Sequence, residues 1–330
     1  MALTQTTHLQ PLVIDKLDVD SLSVGSHHFW FTVAQNALGQ AQSIPVIVHK
    51  ASDEGPRIMV SAGVHGDELN GVLVAQQIAR EIGHEVVAGC IVVVPAINLS
   101  GILASSRDFI GSDPDASPAN LNRFFPGKAD GDAANRYLHK LWNHLLHGNA
   151  DMVIDLHTQT RGATYPLYVF ADFRIPAALE MARLMQPDVI LNDPGDAGVL
   201  ETVWNENGVP CITVEVGTGK VTQPQYIARA VEGVKRILIQ HGVITGEKIE
   251  VCAAPIEGDT ITSIRAMQGG LTLSRVEMLQ KVEEGDLVAE QYDAFGQLVQ
   301  QYRAPHAGTV LSYNSDALRD AGALVVRLIS

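Results

Sequence analysis

From Ile44 to Gln240, apolar runs of strand length alternate with amphipathic stretches of helix length, and no other feature limits the fold of this chain as strongly. Strands are expected at Ile44–His49, Arg57–Ala62, Cys90–Ala96, Asp151–His157, Leu167–Ala171, Asp188–Leu191 and Cys211–Val216. Helices are expected at Glu68–Ile82, Asp132–His147, Ile175–Met185, Val199–Asn207 and Gln223–Gln240. Several of the strands are unbroken Val/Ile/Leu runs, the pattern of a sheet covered by helices on both faces. The repeated β-then-α order predicts an α/β/α sandwich with a mixed, mainly parallel sheet.

From about Glu247 the pattern changes to short strands punctuated by glycine, with no helical period. The chain is therefore expected to divide into an α/β domain over residues 1–246, with an N-terminal β segment, and a C-terminal all-β domain over 247–330. The second part holds an internal echo. Gly270-Leu-Thr-Leu-Ser followed by Gly285-Asp-Leu-Val-Ala is repeated as Gly308-Thr-Val-Leu-Ser followed by Gly322-Ala-Leu-Val-Val. Two such halves packed face to face bury their alternating apolar residues against each other. The stretch resembles the biotinyl/lipoyl hammerhead fold, and Ala304-Pro-His-Ala-Gly-Thr-Val is similar to its signature. That fold carries its cofactor on a hairpin lysine. Gln291–Gln301 has none, and Lys281 is the last lysine of the chain, so a structural or lid-forming role is expected instead.

A formal charge of −14 repels phosphate backbones and anionic membrane surfaces, so neither nucleic acid nor membrane is an expected partner. The three cysteines, Cys90, Cys211 and Cys252, are far apart and form no CxxC, which argues against a disulfide framework and a thiolate zinc site. With no leader-like N-terminus and no apolar run long enough to span a bilayer, a cytoplasmic location is expected. A homo-oligomer is plausible on base rates for soluble enzymes.

Three strand ends carry the chemistry. The first runs into Gly63-Val64-His65-Gly66-Asp67-Glu68, placing an imidazole and a carboxylate at a strand-to-helix turn, where open α/β sheets bind ligands. Alone, this HxxE pattern is also compatible with a hydrogen-bonded surface turn. The second, Asp151-Met-Val-Ile-Asp155-Leu-His157-Thr158, adds another histidine. Two histidines and one glutamate with a fourth position open describe catalytic rather than structural zinc, one ion per chain. Asp155 either orients His157 or is a buried carboxylate satisfied by backbone donors. The third, Cys211-Ile-Thr-Val-Glu215-Val-Gly217, ends with a carboxylate in an apolar run, which suits a general base or a structural salt bridge. Arg107 and the Asn122-Arg123 pair lie in loop-rich sequence between these strands. The planar, permanently charged guanidinium groups of Arg107 and Arg123 suit carboxylate recognition and oxyanion stabilisation, although a solvated loop position is the alternative for each. His139, His144, His147 and His306 are read as outside the site.

In that order, HGDE, NLNRFFPG, DLHT and the ExG strand resemble the succinylglutamate desuccinylase/aspartoacylase family, related to the zinc carboxypeptidases, and more narrowly its branch with N-acetyl-diaminobutyrate deacetylases. The resemblance implies His65, Glu68 and His157 as zinc ligands and Glu215 as general base and acid. It implies Asn122 and Arg123 on the substrate's α-carboxylate, and Arg107 polarising the scissile carbonyl. Aspartoacylase-type members commonly show DLNR, whereas Asn120 stands in place of that aspartate. The expected activity is zinc-dependent removal of a small acyl group from an N-acyl amino acid. The alternatives are a carboxypeptidase-like peptidase and a non-catalytic zinc- or ligand-binding module.

Overall fold

A computed structural model describes residues 11–248 and 254–330. Cys252 and the first ten residues, on which part of the reading of cysteines and N-terminus rests, lie outside the described residues. The elements in chain order are β1 (Leu12–Ile14), β2 (Gly25–Gln35), β3 (Ala41–Lys50), β4 (Arg57–Ala62), α1 (Leu69–Glu81), β5 (Cys90–Val94), α2 (Leu99–Leu103) and α3 (Ala133–Leu141). They continue with β6 (Met152–Gln159), β7 (Ala163–Thr164), β8 (Leu167–Ala171), α4 (Pro176–Leu184), β9 (Val189–Asn192), α5 (Leu200–Glu206), β10 (Cys211–Thr218), α6 (Pro224–Gln240) and β11 (Ile256–Gly258).

Ten of these strands form one sheet in the order β1-β2-β3-β5-β4-β6-β10-β8-β9-β11. The pairs β4/β5, β4/β6 and β6/β10 at its centre are parallel, and β8 enters antiparallel to β10. Strand parity divides the core. Ile58, Val60 and Ala62 of β4, Ile154 and Leu156 of β6, and Ile212, Val214 and Val216 of β10 pack under α1, α4 and α6. Met59, Val153 and Cys211 face the opposite layer, formed by α3 and α5. Each fully buried aliphatic side chain there contributes about 1.5–3 kcal/mol. On that second face the apolar residues give way, toward the carboxyl ends of β6 and β10, to Asp155, His157, Thr213 and Glu215. The alternation that builds the core therefore also aims the polar groups.

Several elements depart from the sequence reading, the short β1, α2, β7 and β11 among them. Strand β2 falls in the N-terminal β segment that was expected without bounds, because only alternate residues such as Phe29, Phe31 and Val33 are buried and no continuous apolar run announces it. The helix expected over Asp132–His147 ends at Leu141 and continues as a π-turn over Trp142–Leu146, which seats Trp142 on Trp204 with ring centroids 4.6 Å apart.

Beyond β11 the chain forms β12 (Ile261–Arg265), β13 (Gly270–Ser274), β14 (Lys281–Val282), β15 (Leu287–Tyr292), β16 (Leu298–Arg303), β17 (Gly308–Asn314), β18 (Leu318–Arg319) and β19 (Leu324–Ile329). These make two antiparallel sheets, β12-β19-β17-β14 and β16-β15-β13-β18. The echo in the sequence is visible as exchange: β13 pairs β15 in one sheet, β17 pairs β19 in the other, and the short strands β14 and β18 each cross to the opposite sheet. Among the described residues no helix is long and apolar enough to cross a membrane.

Candidate metal centre and substrate pocket

The turn after β4 brings the first two polar groups into place. Gly63 adopts φ +72°, a conformation that favours glycine, and a side chain on Gly66 would collide with the backbone of Gly101 at the start of α2. Clamped in this way, the turn presents His65 inward and leaves Glu68 at the N-cap of α1. The Glu68 carboxylate makes no cap hydrogen bond. It turns instead to the two histidines.

His65 Nδ1 lies 2.9 Å from Glu68 Oε1, His157 Nδ1 lies 2.9 Å from Glu68 Oε2, and the two Nδ1 atoms are 3.2 Å apart. All three side chains are buried and offer their ligand atoms to one point. The tautomers follow from the outer partners. His157 Nε2 is 2.8 Å from Asp155 Oδ2, which accepts only, so Nε2 donates. His65 Nε2 is 2.9 Å from Asn120 Oδ1, and that oxygen also accepts the Asn122 amide hydrogen, so His65 Nε2 donates as well. In its neutral form each ring offers its Nδ1 lone pair to the same point, beside a carboxylate. The donor set N, N, O at this spacing suits a zinc ion, whose ligand atoms stand about 3.3 Å apart in a tetrahedron with bonds of about 2.0–2.1 Å.

The same groups attract positive charge, whether as a proton or as a cation. Burial works against the Glu68 carboxylate, but His65 and His157 outweigh it and hold the group well below the usual carboxylate range. Burial likewise opposes charge on His157, while Asp155 and Glu68 on either side raise it well above the ordinary imidazole value.

Glu215 stands on β10 opposite His157 in register. Burial pushes its carboxyl up to about 8, and the negative Glu68 adds to the shift. Gln159 Nε2 donates to Glu215 Oε1 at 2.9 Å, whereas Oε2 is buried without a partner. Among the described residues, the structural salt bridge that the sequence left open for Glu215 is not formed.

These groups line a cavity of 290 Å³ that also holds Arg107, Asn122, Arg123, Asp193, Asp196, Val199, Glu201, Phe170 and Arg327. His65, Glu68, Arg107, Asn122, Arg123, His157 and Glu215 therefore line one pocket, while Asp155 lies behind His157 and outside the lining. Arg107 donates through Nη1 to Glu68 Oε1. Arg123 is exposed, and its Nη1 donates to the Asn122 carbonyl at 2.6 Å. Asn122 spends its Oδ1 on the Leu200 amide at 2.8 Å, tying the loop to the start of α5. Asn120, read above only as a departure from a motif, orients His65. Gln159, Glu201, Asp193 and Arg327 were not anticipated. Gln159 had a signal, since it shares strand parity with His157. Arg327 had none, being distant in sequence from every other lining residue.

Glu201 is 5% exposed and has no cationic partner among the described residues; burial raises its carboxyl well above the ordinary value, although a hydrogen bond from Thr213 opposes the shift. An unfolded chain releases this proton near 4.5 while the folded chain keeps it, so the unfolded state binds fewer protons and stability falls as pH rises through that window. Glu201→Gln is therefore expected to unfold at higher denaturant than the parent at pH 8 and to lose that advantage at pH 4. Parallel urea titrations at the two pH values check this, and an advantage independent of pH would contradict it.

Residues 54–240 match the family model of the succinylglutamate desuccinylase/aspartoacylase catalytic domain. The chain is 29% identical over 285 residues to the N-α-acetyl-L-2,4-diaminobutyric acid deacetylase of Halomonas elongata, covering 82% of this chain and 80% of that protein. Its fold is similar to the product-bound ectoine utilization protein EutE (DoeB) of Ruegeria pomeroyi, with a TM-score of 0.82 at 24% identity over 93% of this chain and 96% of that one. It is also similar to a succinylglutamate desuccinylase from Silicibacter sp. TM1040, with a TM-score of 0.81 at 23% identity and the same coverage.

Proposed function

The chain belongs to the succinylglutamate desuccinylase/aspartoacylase family, and from that footing we propose that it is a zinc-dependent amidohydrolase that removes a small acyl group from an N-acyl amino acid. The observation that carries this reading is the convergence of buried His65, Glu68 and His157 on one point, beside a Glu215 carboxyl with one free oxygen facing the same cavity. His65 Nδ1, His157 Nδ1 and a Glu68 oxygen would hold the ion. Bound there, zinc supplies a Lewis acid that makes water nucleophilic near neutral pH and polarises a carbonyl oxygen.

The remaining work falls to the side chains. Gln159 fixes Glu215 Oε1, so Oε2 is the atom that takes a proton from the attacking water. A carboxyl poised near neutrality both accepts that proton and returns it to the nitrogen of the departing amine. Arg107, already against Glu68, places a guanidinium beside the reacting centre, where charge develops on the acyl oxygen. The Asn122–Arg123 pair at the rim holds the substrate's α-carboxylate. A cavity of 290 Å³ suits a small acyl amino acid better than a peptide, which favours this reading over the peptidase.

The pocket also speaks to the amino acid. Asp193 follows β9, which lies across β10 and β8 from the strand of His157, and Asp196 lines the same cavity. Among the described residues neither aspartate forms a salt bridge. Two such carboxylates in the cavity suit a side chain bearing an amino group, as in the substrate named for the Halomonas relative. The test is amine release by zinc-loaded protein from N-α-acetyl-L-2,4-diaminobutyrate, N-acetyl-L-aspartate and N-succinyl-L-glutamate, with and without a chelator. Chelator-sensitive release at least about tenfold faster from the first substrate is expected, matching the ~1.4 kcal/mol that one charge contact supplies. No release from any substrate after zinc is restored would remove the reading.

A further inference from the structure

The C-terminal sheets are bound to the loop that follows His157. Strand β7 leaves the region of the large sheet and pairs with β17, matching Thr164 to Tyr313 and Ala163 to Asn314. The Ser315 amide donates to the Gly162 carbonyl at 3.1 Å, and Arg319 donates to the same oxygen. Leu311 of β17 and Ile329 of β19 are buried against Tyr168 of β8, so the contact is apolar as well as hydrogen-bonded. Arg327 shares strand parity with Ile329, and its side chain accordingly points toward the large sheet and lines the pocket.

Arg327 is half-buried, and the structure uses only two of its five donors: Nε to Ser263 Oγ at 3.3 Å and Nη1 to Tyr165 Oη at 3.2 Å. No carboxylate of the described residues lies within 4.0 Å of it. A half-buried guanidinium has lost part of its hydration and finds no anion in the protein to replace it. Meanwhile the cavity also carries the carboxyl groups of Asp193 and Asp196, which oppose entry of an anionic substrate. The exposed Arg123 is screened by water and compensates weakly. Resting on the amidohydrolase reading above, we propose that Arg327 is a substrate-binding residue supplied by the C-terminal β-sheets, which donates to the substrate's α-carboxylate in the cavity it shares with Arg123. The β-sheets are on this account a fixed wall of the active site.

The experiment compares N-α-acetyl-L-2,4-diaminobutyrate with its α-carboxamide on zinc-loaded wild type, Arg327→Gln, Arg327→Lys and Arg123→Gln. Wild type is expected to prefer the acid at least about tenfold in kcat/KM. Arg327→Gln should bring the two substrates within about threefold of each other, by raising KM for the acid with kcat little changed, and Arg327→Lys should recover part of the preference. Two results would overturn the proposal: Arg327→Gln keeping the full preference, or losing kcat equally on both substrates, as a purely structural role at Tyr165 would cause. Calorimetric titration with L-2,4-diaminobutyrate and its carboxamide separates this from catalysis. Binding that favours the acid and depends on Arg327, in a protein without turnover, sinks the amidohydrolase reading and leaves the contact standing. Equal binding of acid and carboxamide sinks the contact.

Discussion

Glu215→Gln is expected to lower turnover of an N-acyl amino acid by about 10²- to 10⁴-fold, the usual contribution of a positioned acid–base group, while the protein keeps its zinc. The amide keeps the shape of the carboxylate, and its oxygen still accepts from Gln159 Nε2, so the position of the side chain is preserved. What changes is the second atom. Oε2, buried and without a partner, becomes an NH₂ that donates and cannot take a proton from water. Because burial pushes the native carboxyl up to about 8, its ionisation is a cost to the fold, and the variant is not expected to melt at a lower temperature. Steady-state kinetics, elemental analysis and a melting curve on one preparation together check the assignment. Full activity would remove Glu215 from the proton transfer, and loss of zinc would mean that it supports the metal site instead.

His65→Ala is expected to abolish stoichiometric zinc binding and to reduce turnover by at least about 10³-fold, since metal polarisation contributes several kcal/mol to such a reaction. His65 is a cleaner choice than His157. Either removal takes one partner from Glu68, but removing His157 also strips the buried Asp155 of its imidazole and leaves it to Ser61, whereas removing His65 otherwise frees only the neutral Asn120. The wild-type protein treated with a strong chelator should lose activity to the same extent and regain it with added zinc. Equal zinc content in the variant and its parent would show that the ion sits elsewhere, and unchanged turnover in the chelated protein would exclude a metal role in the reaction.

The layered fold was legible because its signals are local. A strand covered on both faces needs a continuous apolar run, as in Cys90–Val94, and a helix packed on one face needs an apolar stripe, as in Pro224–Gln240. Strand β2 could be given no bounds for the complementary reason, being buried on one side only. The sites at strand ends were legible for a related reason. His157 and Glu215 interrupt buried strands with polar groups, and burial of such groups demands a partner or a purpose.

By itself, then, the sequence determined which strand ends carry His65, Glu68, His157 and Glu215, and that a second, glycine-punctuated unit repeats itself, because periodicity, motif order and internal repeats are properties of neighbouring positions. Only the tertiary structure decided that Asn120 orients His65, that Gln159 leaves one oxygen of Glu215 free, and that Asp193, Glu201 and Arg327 meet in one cavity. Those relations join strands and helices far apart in the chain. They depend on sheet order, register and the docking of β17 on β7, which arise from packing the whole molecule and leave no mark on local spacing.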